Sequence, residues 1–166
     1  MPKENLTSES STLTSILVAN RGGIASRIFR TCRKMGIKSI AVFSEADRLA
    51  PFVGEADMAV FIGESQPSAS YLDQDKIIQV AKQVGADAIH PGYGFLSENA
   101  GFAKRCAAEG LIFIGPNPKA IEAMGSKAEA KAIMEAHGVP IVPGYQGEDQ
   151  ATDKLMQVAK EVGFPL

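Results

Sequence analysis

Short apolar runs alternate with amphipathic stretches along most of the chain. Residues 16–19 and 39–43 are apolar runs, whereas 24–35 place apolar residues at helical spacing. The apolar runs predict strands buried on both faces, and the spacing in 24–35 predicts a helix that ends at Gly36. Together the three segments form a βαβ unit of the usual length.

The same alternation continues to residue 114. Apolar runs at 58–62, 86–90 and 111–114 predict three more strands. Between them, apolar residues at helical spacing predict helices that end at Gly85 and Gly110. This order predicts an α/β fold with a doubly wound, Rossmann-like parallel sheet that helices cover on both faces.

The character of the chain changes after residues 115–118, which read Gly-Pro-Asn-Pro. Helices are predicted around 120–124, 128–136 and 152–162, with an edge strand or an extended connection at the proline-containing segment 139–143. Residues 164–166 look like the start of another strand. We therefore expect a disordered leader (1–14), a first domain (15–125) and the truncated beginning of a second domain (126–166).

Composition narrows the class of protein. The 166 residues have a net charge of −2, with 45% hydrophobic and 22% charged residues. These values are typical of a globular chain and provide no basic surface for nucleic acid or an anionic membrane. No apolar run approaches the about 20 residues that cross a bilayer, and the Ser- and Thr-rich start lacks the features of a signal or transit peptide. We expect a cytoplasmic protein.

Cysteine and histidine positions do not indicate a metal site. Cys32 and Cys106 lie among apolar helix positions, which predicts buried thiols rather than a disulfide or metal ligands. His90 and His137 have no Cys or His at ligand spacing, so we expect no zinc site.

Candidate chemistry is expected in loops, because ligands of an open α/β sheet bind beyond the carboxyl ends of its strands. Loop 20–23 (Asn-Arg-Gly-Gly) opens a helix and could present its amides to an anion, or it is simply a tight turn. Loop 89–99 is polar and aromatic and contains two glycines. There, Tyr93 could stack on a flat ligand, or Tyr93 and Phe95 could pack beneath the loop.

A third candidate segment is 124–129 (Met-Gly-Ser-Lys-Ala-Glu), where Ser126 and Glu129 have the spacing of a capping box. Lys127 then lies in the first turn of a helix, where the helix dipole disfavours a cation by about 0.3–1 kcal/mol. A phosphate bound by the helix amides would explain this lysine, and so would an exposed lysine that is merely tolerated.

These motifs together resemble the N-terminal part of biotin carboxylase, the ATP-grasp component of biotin-dependent carboxylases. The HPGYGFLSEN stretch combined with NRG and MGSK is highly specific, whereas each motif alone is weak. The resemblance covers residues 15–166. Its matching stretches are ILVANRGGIASRI (16–28), IKSIAVF (37–43) with ADR (46–48), AD (56–57), SYL (70–72), AIHPGYGFLSEN (88–99), FIGP (113–116), MGSK (124–127) and GVPIVPG (138–144).

The resemblance implies an activity. Members of the family use MgATP and bicarbonate to carboxylate biotin on a carrier protein through a carboxyphosphate intermediate. In such a phosphoryl transfer, positioning and cationic stabilisation do most of the work. The implied cofactors are ATP and Mg2+, and the implied partners are a biotin carboxyl carrier protein, a carboxyltransferase and a second copy in a homodimer. The acyl acceptor stays open, because the carboxyltransferase selects it.

The resemblance also assigns residues. Lys127 matches the lysine that contacts the nucleotide phosphates, and Tyr93 and Gly94 match the loop on the biotin side of the site. Glu98 matches an acidic loop residue near the active site, and Arg30 matches a position at the homodimer interface. No catalytic residue and no metal ligand is expected in this chain.

The chain departs from the family in two respects. Gly23 stands where the family usually has a glutamate, so the favourable interaction of an acid with the helix dipole is lost. The family's ATP lid, its magnesium-binding glutamates and its bicarbonate- and biotin-binding arginines lie beyond the position of Leu166. We therefore expect the chain alone to be inactive as a carboxylase.

Two other interpretations stay open. The chain could be a stand-alone flavodoxin-like binding or regulatory module, in which the residues after 125 complete one compact domain. It could also be a fragment of another ATP-grasp ligase, such as a carbamoyl-phosphate synthetase, although HPGYGFLSEN favours biotin carboxylase.

Overall fold

The computed structural model of the chain describes residues 13–145, 147 and 149–164. The chain divides into two compact units, of which the first ends at Gly115 and the second begins at Pro116. The predicted leader lies mostly in residues 1–12, and the predicted last strand mostly in 165–166, outside the described residues. The domain boundary expected at residue 125 stays a prediction.

Five parallel strands form one sheet in the first unit, which confirms the predicted α/β fold. The order across the sheet is β3-β2-β1-β4-β5, so the winding reverses between β1 and β4. The strands are β1 (Ser15–Val18), β2 (Lys38–Ser44), β3 (Met58–Gly63), β4 (Ala88–His90) and β5 (Ile112–Phe113).

Four α-helices connect these strands, and three of them were predicted from helical spacing. They are α1 (Gly22–Met35), α2 (Pro51–Glu55), α3 (Gln74–Gln83) and α4 (Ala100–Ala108). The sequence pattern missed α2, because five residues span little more than one helical turn and show no periodicity. Two 3-10 helices, Glu45–Asp47 and Pro67–Ala69, flank the β2–β3 region.

Separate hydrophobic clusters cover the two faces of the sheet. Along β1, Leu17 belongs to one cluster, and Ile16 and Val18 belong to the other. Burial on both faces explains why β1 reads as a continuous apolar run. Helices α3 and α4 cover the first cluster and α1 and α2 the second, with these large side chains buried in them: Ile77, Phe102, Phe29 and Phe52.

The two cysteines are free and buried, as the sequence predicted. Cys106 lies in the first cluster and Cys32 in the second. Burial raises the pKa of both thiols, that of Cys106 to about 11, so both stay protonated at neutral pH.

The second unit contains the three helices predicted after residue 118, although the first of them was expected in the first domain. They are α5 (Pro118–Gly125), α6 (Lys127–Ala136) and α7 (Thr152–Val162). Residues 139–143 form a connection without strand pairing. Of the two predicted alternatives, the extended connection therefore forms and the edge strand does not. Pro140 and Pro143 lack the N–H that strand pairing requires, which explains this outcome.

Candidate functional site

The reversal of the winding brings two of the predicted loops together. Strands β1 and β4 are neighbours, and Val18 pairs with His90 at their carboxyl ends. The loops that follow them, 20–23 and 91–99, therefore emerge side by side. We call this region the carboxyl edge of the sheet, and include in it the segment 44–47 at the end of β2.

Asn20 joins the two loops. Its residue surface is only 1% exposed, and its Nδ2 donates hydrogen bonds to the carbonyl oxygens of Pro91 (2.7 Å) and Tyr93 (2.9 Å). Its Oδ1 accepts the N–H of Arg21 at 2.9 Å. Both amide hydrogens and the oxygen are thus engaged, which holds loop 91–99 against the end of β1.

The backbone of loop 91–99 is strained. Gly92, Gly94 and Phe95 have φ of 67°, 69° and 44°, and Phe95 is the one non-glycine residue of the described chain with a positive φ. A Cβ at Gly92 would lie 2.6 Å from Nδ2 of Asn20 and 2.8 Å from Cγ2 of Ile24, so a larger residue would force these side chains to move. Strain of this kind collects at functional sites.

A charged and aromatic cluster holds the loop from the side of β2. The rings of Tyr71 and Phe95 are stacked with centroids 5.1 Å apart, and the Arg21 guanidinium lies 5.6 and 5.7 Å from these centroids. Arg21 also pairs with Asp47 at 3.3 Å. Tyr71 donates to Asp47 at 2.7 Å and accepts the N–H of Ser44 at 3.2 Å. The cluster therefore fixes the ring of Phe95.

Hydrogen bonding sets the charge states in this cluster. Burial raises the pKa of Asp47, but hydrogen bonds from Tyr71, Ser44 and Arg21 outweigh it and lower the pKa below its ordinary value. Burial raises the pKa of Tyr71, and its bond to Asp47 raises it further. At neutral pH, Asp47 is therefore a charged acceptor and Tyr71 a protonated donor.

His90, at the end of β4, supports the loop through its imidazole ring. Its Nδ1 accepts the N–H of Gly92 at 3.0 Å, so in the neutral ring the proton is on Nε2. Burial lowers the pKa of His90, and the positive charge of Arg27 lowers it further. The neutral form that the hydrogen bond requires is therefore also the form that the surroundings favour.

Two open grooves lie on either side of Tyr93. The larger has a volume of about 540 Å³ and runs between the two loops, and the smaller, of about 340 Å³, includes His90 and the start of α1. Tyr93 is 69% exposed, whereas Phe95 is half-buried against Tyr71. Of the two predicted alternatives, packing beneath the loop therefore holds for Phe95, and Tyr93 is free to stack on a ligand.

The residues expected at the site from the resemblance are all exposed. Gly94 and Glu98 share the loop with Tyr93, and Arg30 lies on the surface of α1. Lys127 is the first residue of α6 in the second unit. The roles assigned to these residues stay predictions.

The predicted cap of α6 is confirmed. The Ser126 hydroxyl oxygen accepts the N–H of Glu129 at 3.3 Å. Lys127 is therefore within the first turn, as the capping-box spacing indicated, and its exposed ammonium group lies near the amino end of the helix dipole.

Sequence reasoning missed several supporting residues, namely Asp47, Tyr71 and His90. Asp47 follows the carboxyl end of β2 by three residues, and this position was a usable signal because β2 is next to β1. Tyr71 had no such signal from its strand position, because it comes from the connection between β3 and α3; only the SYL stretch (70–72) of the resemblance includes it. Its place beneath Phe95 depends on the tertiary fold.

In the ranges 13–145, 147 and 149–164, no three His, Cys, Asp or Glu side chains converge as metal ligands would. The same part of the chain has no helix whose length and apolar character would suit a membrane span.

Comparison with known proteins identifies relatives over nearly the whole chain. Residues 12–121 match the family described as "Biotin carboxylase, N-terminal domain". The chain is 53% identical over 160 residues to the α subunit of mitochondrial methylcrotonoyl-CoA carboxylase from Rattus norvegicus, and 52% identical over 153 residues to biotin carboxylase 2 from Bacillus subtilis. These matches cover 96% and 92% of this chain but only 22% and 34% of those proteins.

A solved structure shows the same fold. The biotin carboxylase domain of 2-oxoglutarate carboxylase from Hydrogenobacter thermophilus superposes with a TM-score of 0.85 at 46% identity, over 92% of this chain and 33% of that one. That domain is a dimer in complex with MgADP, ADP and bicarbonate. The matches confirm the resemblance and the fold class that the sequence indicated.

Proposed function

The chain belongs to the family of biotin carboxylase N-terminal domains, and we propose that it forms the N-terminal part of an ATP-dependent biotin carboxylase. Such an enzyme uses MgATP and bicarbonate to carboxylate carrier-bound biotin through carboxyphosphate. The observation that carries the proposal is the buried Asn20 link, which presents Tyr93 and Gly94 beside an open groove.

The proposed roles follow from the positions of the side chains. Tyr93 offers an exposed ring, and Gly94 an unobstructed backbone, to the planar ureido ring of biotin. Glu98 adds a negative charge to the same loop. Lys127 and the first amides of α6 would hold a nucleotide phosphate, since both favour an anion. Arg30 is exposed on α1 for contact with a second copy.

Among the described residues, no three His, Cys, Asp or Glu side chains converge. We assign the magnesium ligands and most of the nucleotide site to the part of the relatives that this chain does not span. In this layout, residues 15–125 form the first domain and 126–166 begin the ATP-grasp domain.

The carrier protein and the carboxyltransferase would act as partners of the complete enzyme. Location in the cytoplasm stays a prediction.

A chimera tests the proposed function. The 153 residues of this chain that align with Bacillus subtilis biotin carboxylase 2 would replace the matching segment of that protein, and bicarbonate-dependent ATP cleavage and biotin carboxylation would be assayed. We expect an active chimera in which Tyr93→Ala raises the KM for biotin by about tenfold, the size expected for one lost stacking contact. Tyr93→Phe, which keeps the ring, serves as the control. A folded chimera without either activity would contradict the proposal.

The isolated chain provides a second test. We expect no bicarbonate-dependent ATP cleavage from the purified 166 residues, and any such cleavage would contradict the predicted inactivity. Titration calorimetry with ATP and with a biotin analogue would distinguish the stand-alone module. Tight binding of either ligand by the isolated chain would support that alternative instead.

A further inference from the structure

We propose that Asn20 is the positioning residue of loop 91–99 and that it sets the place of Tyr93 and Gly94 on the biotin side. Only the link to biotin rests on the proposed function. The positioning itself rests on three hydrogen bonds of one buried side chain.

The surroundings determine the orientation of the Asn20 amide. The N–H of Arg21 requires an acceptor, and the carbonyl oxygens of Pro91 and Tyr93 require donors. A reversed amide would place Oδ1 against two carbonyl oxygens and leave a buried N–H facing a donor. An asparagine in the observed orientation satisfies all three groups at once.

The two carbonyl groups lie on either side of the Gly92–Tyr93 pair, which carries the exposed tyrosine ring. They belong to the peptide that precedes Gly92 and to the peptide that follows Tyr93. Asn20 therefore holds the backbone on both sides of the Gly92–Tyr93 pair, at a glycine whose φ is 67°. Because 71 residues separate Asn20 from Pro91, this is a tertiary restraint and not a local turn.

Asn20 and Ile24 pack tightly around Gly92. Nδ2 of Asn20 already lies 2.6 Å from the place of a Cβ on Gly92, and Ile24 closes the adjoining space. His90 holds the Gly92 N–H from the β4 side. Asn20 is thus the side chain that restrains the two carbonyl groups, and the loop is expected to loosen when it is removed.

Hydrogen exchange and carbon NMR of the 166-residue chain test this role. In Asn20→Asp, which has the same shape but no N–H donor, and in the uncharged Asn20→Ala, the 13C signals of the Pro91 and Tyr93 carbonyls should shift selectively. The amides of Ser97 and Asn99, which bond within the loop, should exchange about tenfold to hundredfold faster, as the loss of one or two hydrogen bonds predicts. Strand amides should change much less.

Ser39→Ala is the matched control. It removes a hydroxyl that donates to Asp57 at 2.7 Å, far along β2 from its carboxyl end. For each variant, the measured quantity is the acceleration of amide exchange in loop 91–99 relative to that in the strands. If this ratio is no larger in both Asn20 variants than in Ser39→Ala, Asn20 is an ordinary buried polar residue and the proposal is wrong.

The unmodified chain supplies a measurement that does not depend on a stable variant. The two Nδ2 hydrogens of Asn20 should exchange with solvent about a hundredfold more slowly than those of an exposed asparagine, because both are buried and bonded. Exchange at the exposed rate would overturn the proposal. None of these measurements involves biotin or ATP, so an inactive chimera would refute the proposed function and leave the positioning role intact.

Discussion

The two edges of the sheet use aspartates in different ways. At the edge where the strands begin, the amino edge, Asp57 accepts the N–H and O–H of Ser39 at 2.8 and 2.7 Å. Asp87 similarly accepts hydrogen bonds from Thr14 and Ser15. Each of these carboxylates binds the start of one neighbouring strand. At the carboxyl edge, Asp47 instead gathers side chains from three separate segments of the chain.

Glycines show the same contrast. Gly36, Gly85 and Gly110 have positive φ where a helix ends and a strand follows, and a Cβ on any of them would meet nothing within 4 Å. Gly92 has a similar φ but is tightly surrounded. The amino edge thus joins neighbouring strands in pairs through one carboxylate each, whereas the carboxyl edge concentrates charged and aromatic contacts and positive-φ residues around open grooves. Such concentration is what a binding site requires.

The largest expected effect compares glycines at the two edges. Gly92→Ala should lower the free energy of unfolding by about 3 kcal/mol or more, because a Cβ combines a positive φ with severe overlap. Gly85 also has a positive φ, of 65°, but a Cβ there would lie in open space. Gly85→Ala should therefore lower the free energy of unfolding by only about 1 kcal/mol. Urea unfolding followed by circular dichroism measures both. Equal losses would show that crowding at the carboxyl edge is unimportant.

Removal of a hydroxyl at each edge should give the next largest difference. Tyr71→Phe leaves the buried Ser44 N–H without its acceptor and removes one hydrogen bond from Asp47, which keeps those from Ser44 and Arg21, and it should lower the free energy of unfolding by about 2 kcal/mol. Thr14→Val removes an exposed hydrogen bond to Asp87, which keeps its bonds to Ser15, and should cost about 0.5 kcal/mol. If Thr14→Val lowered the free energy of unfolding more than Tyr71→Phe in the same urea experiment, the predicted difference between the two edges would be wrong.

Acid should weaken the carboxyl edge before the amino edge. The folded pKa of His90 is lowered, so its contribution to stability is complete above the unfolded value of about 6.5 and is lost as pH falls below it. The pKa values of Asp57 and Asp87 are also lowered, mainly by hydrogen bonds from Ser39 and Thr14, and their contributions are lost only below about 3.8.

The free energy of unfolding should therefore decline between pH 7 and pH 5, by no more than about 1.4 kcal/mol per pH unit, the limit for one proton. His90→Asn keeps an acceptor for the Gly92 N–H without titrating and should flatten this decline. His137→Asn leaves His90 in place and should preserve it. An unchanged decline in His90→Asn would mean that another group is responsible.

The smallest effect concerns two adjacent glycines at the carboxyl edge. Gly23→Glu should raise the free energy of unfolding by about 1 kcal/mol, because a first-turn acid interacts favourably with the dipole of α1 and the substitution reduces backbone entropy in the unfolded chain. Gly22→Ala should lower it by about 1 kcal/mol, because Gly22 has a φ of 58°. The Cβ of either new side chain would meet no atom within 4 Å, so both positions have room for a side chain to begin. Thermal unfolding of the two variants would measure the change in stability of each. Changes of the same sign in Gly23→Glu and Gly22→Ala would contradict the prediction.

Local patterns were sufficient for the elements that bury an apolar run or stripe. They placed β1 and α1 within one or two residues and located loop 91–99, because burial on both faces and helical spacing are visible in the sequence. They missed α2, which is too short for periodicity, and they left the segment 139–143 undecided between a strand and a connection. The glycines of the two loops indicated a site, but not which glycine is crowded.

By itself, the sequence determined the alternation of strands and helices, the parallel α/β sheet and, through its specific motifs, the family. The tertiary structure alone decided that Asn20 binds Pro91, that Tyr71 supports Phe95 and that Asp47 pairs with Arg21. The physical reason is that these contacts join segments distant in the chain, which meet because β2 and β4 both lie beside β1. Local propensity does not encode that strand order, which emerges when both faces of the sheet are buried together.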